Sequence, residues 1–218
     1  MLQKLILVLT CVIFYACSSQ ETEAEKKTKL DHQYRFTTFN VDDYSAIKLY
    51  CDVGRVKVRI RQYEHPKVEI HKTYQKYVRF EPSGDTLMIH IENTPKNSKE
   101  DVKKYINFFL PTLRYLESEV GQIVLENFIE RKMFILNHSN SLRLLNCKIQ
   151  DLTIENEGIN NIQLDSDNYF DDLYVGLNTK SYYNSDAMVL KNFTIKVPNL
   201  DHATFQNIPP QGFKWLKR

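Results

Sequence analysis

The 218 residues contain no CxxC pair, no Cys/His cluster and no HExxH, so a structural or catalytic zinc site has no ligand set and no cofactor is expected. No long basic run or aromatic–basic motif is present, and 29 Lys and Arg against 27 Asp and Glu leave a formal charge of only +2, which removes nucleic acid from the expected partners. No apolar run reaches the roughly 20 residues that span a bilayer. Tryptophan occurs once, yet there are 13 Tyr and 12 Phe, a balance that suits strands and is too rich in aromatics for wholesale disorder.

The amino terminus, MLQKLILVLTCVIFYAC, has a lysine at position 4 and then an apolar stretch from Leu5 to Ala16, the layout of a signal peptide over residues 1–16. Ala16-Cys17-Ser18 resembles the lipobox of bacterial lipoproteins, in which the cysteine is lipidated and becomes the new amino terminus. The resemblance implies a membrane anchor through lipid on Cys17, in the cell envelope. Ser18, standing where an aspartate would retain the protein at the inner membrane, implies the outer membrane. Residues 17–33 then carry the anchor and a solvated tether, with Glu21, Glu23 and Glu25 close to it. They read as a plain linker or resemble a surface-export signal of Bacteroidetes lipoproteins. Processing leaves Cys51 and Cys147, each in a strand-like apolar setting and each expected as a free buried thiol rather than half of a bridge.

Apolar and polar residues alternate at 35–41 (RFTTFNV), 45–51 (SAIKLYC), 55–61 (RVKVRIR), 67–73 (KVEIHKT) and 86–92 (TLMIHIE). Turn material such as Pro82-Ser83-Gly84-Asp85 between them suits hairpins or tight strand-to-strand corners. Arg55, Lys57, Arg59 and Arg61 form a like-charged row, read either as a surface for anionic groups or as the charged face of an exposed edge strand. The Lys-rich stretch 94–105 is expected as a long loop.

Further along, apolar-x-apolar triplets recur at Leu113-Arg114-Tyr115, Met133-Phe134-Ile135, Leu152-Thr153-Ile154, Leu173-Tyr174-Val175 and Phe193-Thr194-Ile195, with starts 20, 19, 21 and 20 apart. A second set lies half a period later, at Ile123-Val124-Leu125, Leu142-Arg143-Leu144, Ile162-Gln163-Leu164 and Ala203-Thr204-Phe205, with a degenerate member at Ser181-Tyr182-Tyr183. Two short strands per period of about 20 point to an all-β, single-domain parallel β-solenoid of about five coils preceded by shorter strands; an antiparallel β-sandwich is the alternative. Asn stands four residues after five triplet starts, at Asn127, Asn137, Asn146, Asn156 and Asn207, where left-handed backbone and amide ladders at corners account for it.

The first half FTTFNVDDYSAIKLYCDVGRVKVRIRQ, followed by KVEIHKT, GDTLMIHIE and FFLPTLRYLESEVGQIVL, resembles the auto-transporter adhesin head-GIN domain family of Bacteroidetes. The most specific piece is Leu110-Pro111-Thr112-Leu113 leading to Gly121 and Ile123-Val124-Leu125; the chain departs from the family in its 6 Gly and in Glu117-Ser118-Glu119-Val120 at the corner. The resemblance implies a β-helical domain over residues 34–208, an exported location and no catalytic residues. Residues 209–218, the end of IPPQGFKWLKR, read as a cap.

For chemistry, β-solenoids host carbohydrate-active enzymes through outward carboxylates, and Asp151, Glu155, Glu157, Asp165, Asp167, Asp171 and Asp172 are the candidates. They lack calcium-loop spacing, solvated corners account for them, and the six histidines fall in no nucleophile-orienting motif, so no catalytic or metal residues are expected. The expected role is adhesion or envelope interaction, or a purely structural envelope component, with a glycan or another envelope protein as partner. The candidate binding surface is aromatic: Tyr169, Phe170, Tyr174, Tyr182 and Tyr183.

Overall fold

The computed structural model describes residues 35–52, 56–92, 105–158, 160–178, 180–197, 203–206 and 213–217. The signal peptide, Cys17, the tether, Arg55, Asn207 and residues 94–104 of the expected loop lie outside them. The chain divides into residues 1–36 and 37–218, and the strands lie in the second unit, Phe36 excepted.

Among the described residues the fold is all-β. The strands are β1 (Phe36–Asn40), β2 (Ala46–Cys51), β3 (Lys57–Gln62), β4 (Lys67–His71), β5 (Val78–Ser83), β6 (Thr86–Ile91), β7 (Tyr105–Leu110), β8 (Tyr115–Glu119) and β9 (Gln122–Glu126). They continue with β10 (Ile129–Asn137), β11 (Ser141–Leu145), β12 (Lys148–Asn156), β13 (Asn161–Leu164), β14 (Tyr169–Leu177), β15 (Ser181–Ser185), β16 (Met188–Val197), β17 (Ala203–Gln206) and β18 (Phe213–Lys217). They form two nine-stranded sheets, one ordered β1-β4-β7-β3-β9-β11-β13-β15-β17 (sheet I) and the other β18-β16-β14-β12-β10-β8-β2-β6-β5 (sheet II). The inward residues of both sheets share one core, closed across the gap by contacts such as Tyr183 of β15 against Phe193 of β16, ring centroids 6.0 Å apart. Two large sheets around one core is the sandwich-like arrangement held as the alternative, although the pairing is not the antiparallel one it assumed.

From β8 onward each strand pairs in parallel with the strand two places along the chain. Met133, Leu152, Leu173, Phe193 and Phe213 stand in register across sheet II, and Ile123, Leu142, Ile162, Tyr183 and Phe205 across sheet I. The triplets therefore mark real rungs, including the degenerate one: Ser181-Tyr182-Tyr183 opens β15, with a fully buried Tyr where the three preceding strands of the row have Ile or Leu. The first triplet is displaced. Phe134 pairs with Tyr115 and Ile135 with Leu116, so the rung of β8 begins after Leu113, which sits in the corner behind Pro111 with its N–H donated to Glu130 Oε1 at 3.0 Å. Its side chain is fully buried there, as a strand residue's would be, and apolar spacing alone does not separate the two.

In the amino-terminal half, β2 pairs in parallel with both β6 and β8, and β3 with both β7 and β9. Antiparallel pairing joins β4 to β7 and β5 to β6. The β5–β6 hairpin turns at Gly84, whose φ of 59° favours a residue without a Cβ. Three strands had no periodic signal: β5 is a largely exposed edge strand bearing Pro82, β7 is a near-continuous apolar run, and β18 lies within the expected cap and extends sheet II. The Arg/Lys row is not on an edge either. β3 lies inside sheet I between β7 and β9, and Arg59 (3.1 Å) and Arg61 both pair with Glu126 of β9. An interior strand keeps these charges because a carboxylate from the next strand meets them.

The corner asparagines divide by role. Asn127 and Asn146 adopt positive φ, 65° and 50°, and Asn146 Nδ2 donates to Asn127 Oδ1 at 2.9 Å. Asn137 and Asn156 end β10 and β12 and are fully buried. Cys51 and Cys147 are both free thiols; Cys147 is buried, whereas Cys51 is half-buried.

Candidate functional site

The five aromatic side chains expected on one surface do not share a face. Neighbouring residues of a strand point to opposite sides, so Phe170 and Tyr183 are fully buried in the core while Tyr169 and Tyr182 are exposed at 41% and 37%. Phe170 and Tyr183 are thereby removed from the surface they were assigned to. Tyr174 is half-buried on the outer side of sheet II, in the row of Tyr115, Phe134 and Thr153, where the Tyr115 and Phe134 rings stack with centroids 5.7 Å apart. Tyr169 also belongs to sheet II, and Tyr182 to sheet I. Two distinct outward faces result.

On sheet I, the outward positions of β11, β13, β15 and β17 make two straight rows: Ser141, Asn161, Tyr182, Thr204 and Arg143, Gln163, Asn184, Gln206. Every member but Tyr182 and Arg143 is a hydroxyl or an amide, and adjacent members repeat at the strand spacing of about 4.8 Å. Arg143 is held by Asp165 (Nε 3.1 Å, Nη2 2.5 Å), which raises the guanidinium pKa further, chiefly through that hydrogen bond. The Tyr182 hydroxyl donates to Gln206 Oε1. Sequence reasoning singled out Tyr182 here and missed the amides, which an outward-position reading of the same triplets would have aligned.

On sheet II, β10, β12 and β14 each place two successive residues outward, at 131–132, 150–151 and 171–172, so each long strand bends there. Before the bend lies an open groove of about 380 Å³ lined by Ile129, Arg131, Lys148, Gln150, Tyr169 and Asp171, with Glu130 and Ile149 at its floor. Lys148 Nζ lies 6.0 Å from the centre of the Tyr169 ring. Periodicity gave no reason to note Ile129, Met188 or Leu190, because apolar residues at outward positions break the pattern that periodicity detects.

The candidate carboxylates are engaged elsewhere or dispersed. Asp165 pairs with Arg143, Asp171 with Lys191 at 2.9 Å, and Asp172 accepts from Asn192 Nδ2 at 2.5 Å. Glu157 lies 3.5 Å from His138 Nδ1; Asp151 and Asp167 are exposed and Glu155 half-buried. Among the described residues no group of three or more His, Cys, Asp or Glu is arranged to hold a metal ion. A tighter ionic cluster, absent from the sequence reading, joins Lys48 to Glu117 at 2.7 Å, with the Tyr115 hydroxyl donating to Glu117 at 2.9 Å. Burial pushes the Glu117 carboxyl up, but the hydrogen bonds from Lys48 and Tyr115 outweigh it and hold it below its ordinary value, while the bond to Glu117 raises Lys48. These groups are poised as permanent charges rather than as proton carriers at neutral pH.

No family model matches the chain, and no curated protein matches it. Among solved structures the fold is similar to that of a "putative adhesin" from Bacteroides fragilis, at 14% identity and a TM-score of 0.55 over 84% of this chain and 94% of that one. It is also similar to a "putative lipid binding protein" from Parabacteroides distasonis, at 17% identity and a TM-score of 0.55 over 78% of this chain and 72% of that one. At these identities the likeness is one of fold.

Proposed function

We propose that the chain is an exported lipoprotein, tethered to the outer membrane through lipid on Cys17, whose β body is a non-catalytic adhesion module that binds a neutral glycan on the outer face of sheet I. The observation that carries the reading is the pair of rows Ser141, Asn161, Tyr182, Thr204 and Arg143, Gln163, Asn184, Gln206. Sugar rings present alternating apolar faces and hydroxyl rims, and a tyrosine ring flanked by amides and hydroxyls complements both. The one cation among these positions is already neutralised by Asp165, which favours uncharged over acidic sugars.

The parallel ladders of both sheets support a solenoid winding for the carboxy-terminal half, with two strands per turn, and keep the head-GIN domain resemblance as the preferred family reading. The names of the structural neighbours, adhesin and lipid-binding protein, fit a binding role. The ion pairing of Asp165 and Asp171 argues against an outward carboxylate pair for glycan cleavage.

The full chain, purified in detergent and applied to a panel of neutral and acidic glycans, is expected to retain neutral oligosaccharides, and Tyr182→Ala to lose them with the fold intact. Absence of binding to the whole panel, or release of shortened sugars, overturns the reading. The anchor is tested separately: Cys17→Ser expressed with the native signal moves the protein to the soluble fraction, and a wild-type chain already found there sinks the lipidation proposal.

A further inference from the structure

Ile129, Tyr169, Met188 and Leu190, at 68%, 41%, 52% and 59% exposure, are four of the six large hydrophobic side chains that stand exposed among the described residues. All four lie on the first segments of β10, β14 and β16. Scattered exposed apolar residues need no explanation, but a cluster beside a groove marks a binding surface. A bulge in β16 shapes its share of that surface. Phe170 pairs with Val189 and Asp172 with Asn192, so Leu190 and Lys191 together oppose Asp171 alone. Bulges re-aim side chains, and here Leu190 stands exposed while Lys191 Nζ reaches Asp171 Oδ2 at 2.9 Å.

That ion pair sets the charge of the groove of about 380 Å³ over β10, β12 and β14, because Asp171 lines it. The other carboxylate of the lining, Glu130, accepts from Thr112 Oγ1 at 2.8 Å and from the Leu113 N–H at 3.0 Å. Both carboxylates are thus engaged within the fold. The cations that share the lining, Arg131 and Lys148, form no ion pair among the described residues. The groove therefore carries uncompensated positive charge over β10 and β12, and Tyr169, Met188 and Leu190 continue it as an apolar strip over β14 and β16. Asp151 and Asp172, in register with each other one row further along, lie outside the lining and repel an anion that moves past it.

We propose that this groove binds a fatty carboxylate, with its head group between Arg131 and Lys148 and its chain laid across Tyr169 onto Met188 and Leu190. Two strand spacings separate β12 from β16, about 10 Å, a span that an extended chain of roughly eight C–C bonds covers. An acidic sugar meets the same cations but offers Met188 and Leu190 no hydrocarbon to cover them, so the alkyl chain is the better match. The site is independent of the glycan reading, which concerns sheet I.

Decanoate is the probe, titrated calorimetrically to about 1 mM into the full chain carrying Cys17→Ser, without detergent. It binds at one site per chain. Acetate, which has the head alone, and decanol, which has the chain alone, each bind about tenfold more weakly or less. Lys148→Glu and Arg131→Glu each weaken decanoate about tenfold or more, whereas Lys148→Arg keeps the charge and the affinity and serves as the folding control. The double variant M188S/L190S weakens decanoate about tenfold.

Decanoate that fails to bind, or that binds equally well to both charge-reversed variants, overturns the proposal. Decanol bound as tightly as decanoate removes the anionic head from the site and overturns it too. An oligogalacturonate that binds more tightly than decanoate, and is lost in Lys148→Glu, assigns the groove to an acidic sugar instead.

Discussion

Asn137 Nδ2 donates a 2.7 Å hydrogen bond to Asn156 Oδ1 on the next strand of sheet II, with both amides fully buried. The Ser139 N–H donates to Asn137 Oδ1 at 3.2 Å and Asn156 Nδ2 donates to Ser181 Oγ at 2.8 Å, so the polar line runs on through the strand ends. A buried amide is tolerated here because its neighbours satisfy it, and that makes each member dependent on the next.

Replacing one member exposes that dependence. Asn156→Leu leaves the Asn137 amide without its acceptor in a dry interior and is expected to cost about 2–4 kcal/mol, read as a lower midpoint in urea. The double change Asn137→Leu/Asn156→Leu is expected to cost less than the two single changes added, because the orphaned amide is gone.

Glu126 answers both Arg59 and Arg61 across an interior strand pair. Glu126→Ala is expected to destabilise by about 2–4 kcal/mol, since two guanidinium groups lose the carboxylate that neutralises them. The loss shrinks when Arg61 is also replaced by Gln, and thermal melts of the single and double variants read the difference.

Burial pushes the Cys147 thiol from 9.0 up to about 11, and burial raises the Tyr183 hydroxyl as well. A group whose folded pKa lies above its unfolded one binds its proton more tightly when folded. Its contribution is therefore fully present below about pH 9 and is lost as pH rises toward 11. Stability is expected to fall across that window, by up to about 2–3 kcal/mol for Cys147, with the fall reduced in Cys147→Ala. In the native chain at pH 8, Cys147 stays unreactive to a thiol reagent until denaturant is added.

Tyr182 and Tyr183 are adjacent in β15 and face opposite ways. Tyr183→Ala removes a fully buried ring that packs on Phe193 and is expected to cost about 3–5 kcal/mol. Tyr182→Ala is expected to change stability by less than about 0.5 kcal/mol. Urea titrations of the pair separate a core role from a surface role without reference to any ligand.

Much of the strand ladder was legible, because residues that line a shared core must recur at the same place in every rung. Met133, Leu152, Leu173 and Phe193 do so, and Asn127 and Asn146 announce the left-handed corners their backbone needs. The site was less legible. Ser141, Asn161, Gln163 and Asn184 are ordinary polar residues separately and acquire meaning only as neighbours about 4.8 Å apart. The aromatic surface was overdrawn for a related reason: DSDNYFDD and SYYNS each contain an adjacent pair of rings, and a pleated strand sends one of each pair inward.

The all-β character, the period of the rungs and most of the inward residues could be read from the chain alone, since alternation and repeat length are local consequences of strand geometry. It took the assembled fold to place β3 inside a sheet rather than at its edge, to make Leu113 a corner and not a rung, and to leave Ile129, Tyr169, Met188 and Leu190 exposed on the same sheet. Those are facts about which distant segments become neighbours, and they follow from pairing between strands, which no single stretch of the chain encodes.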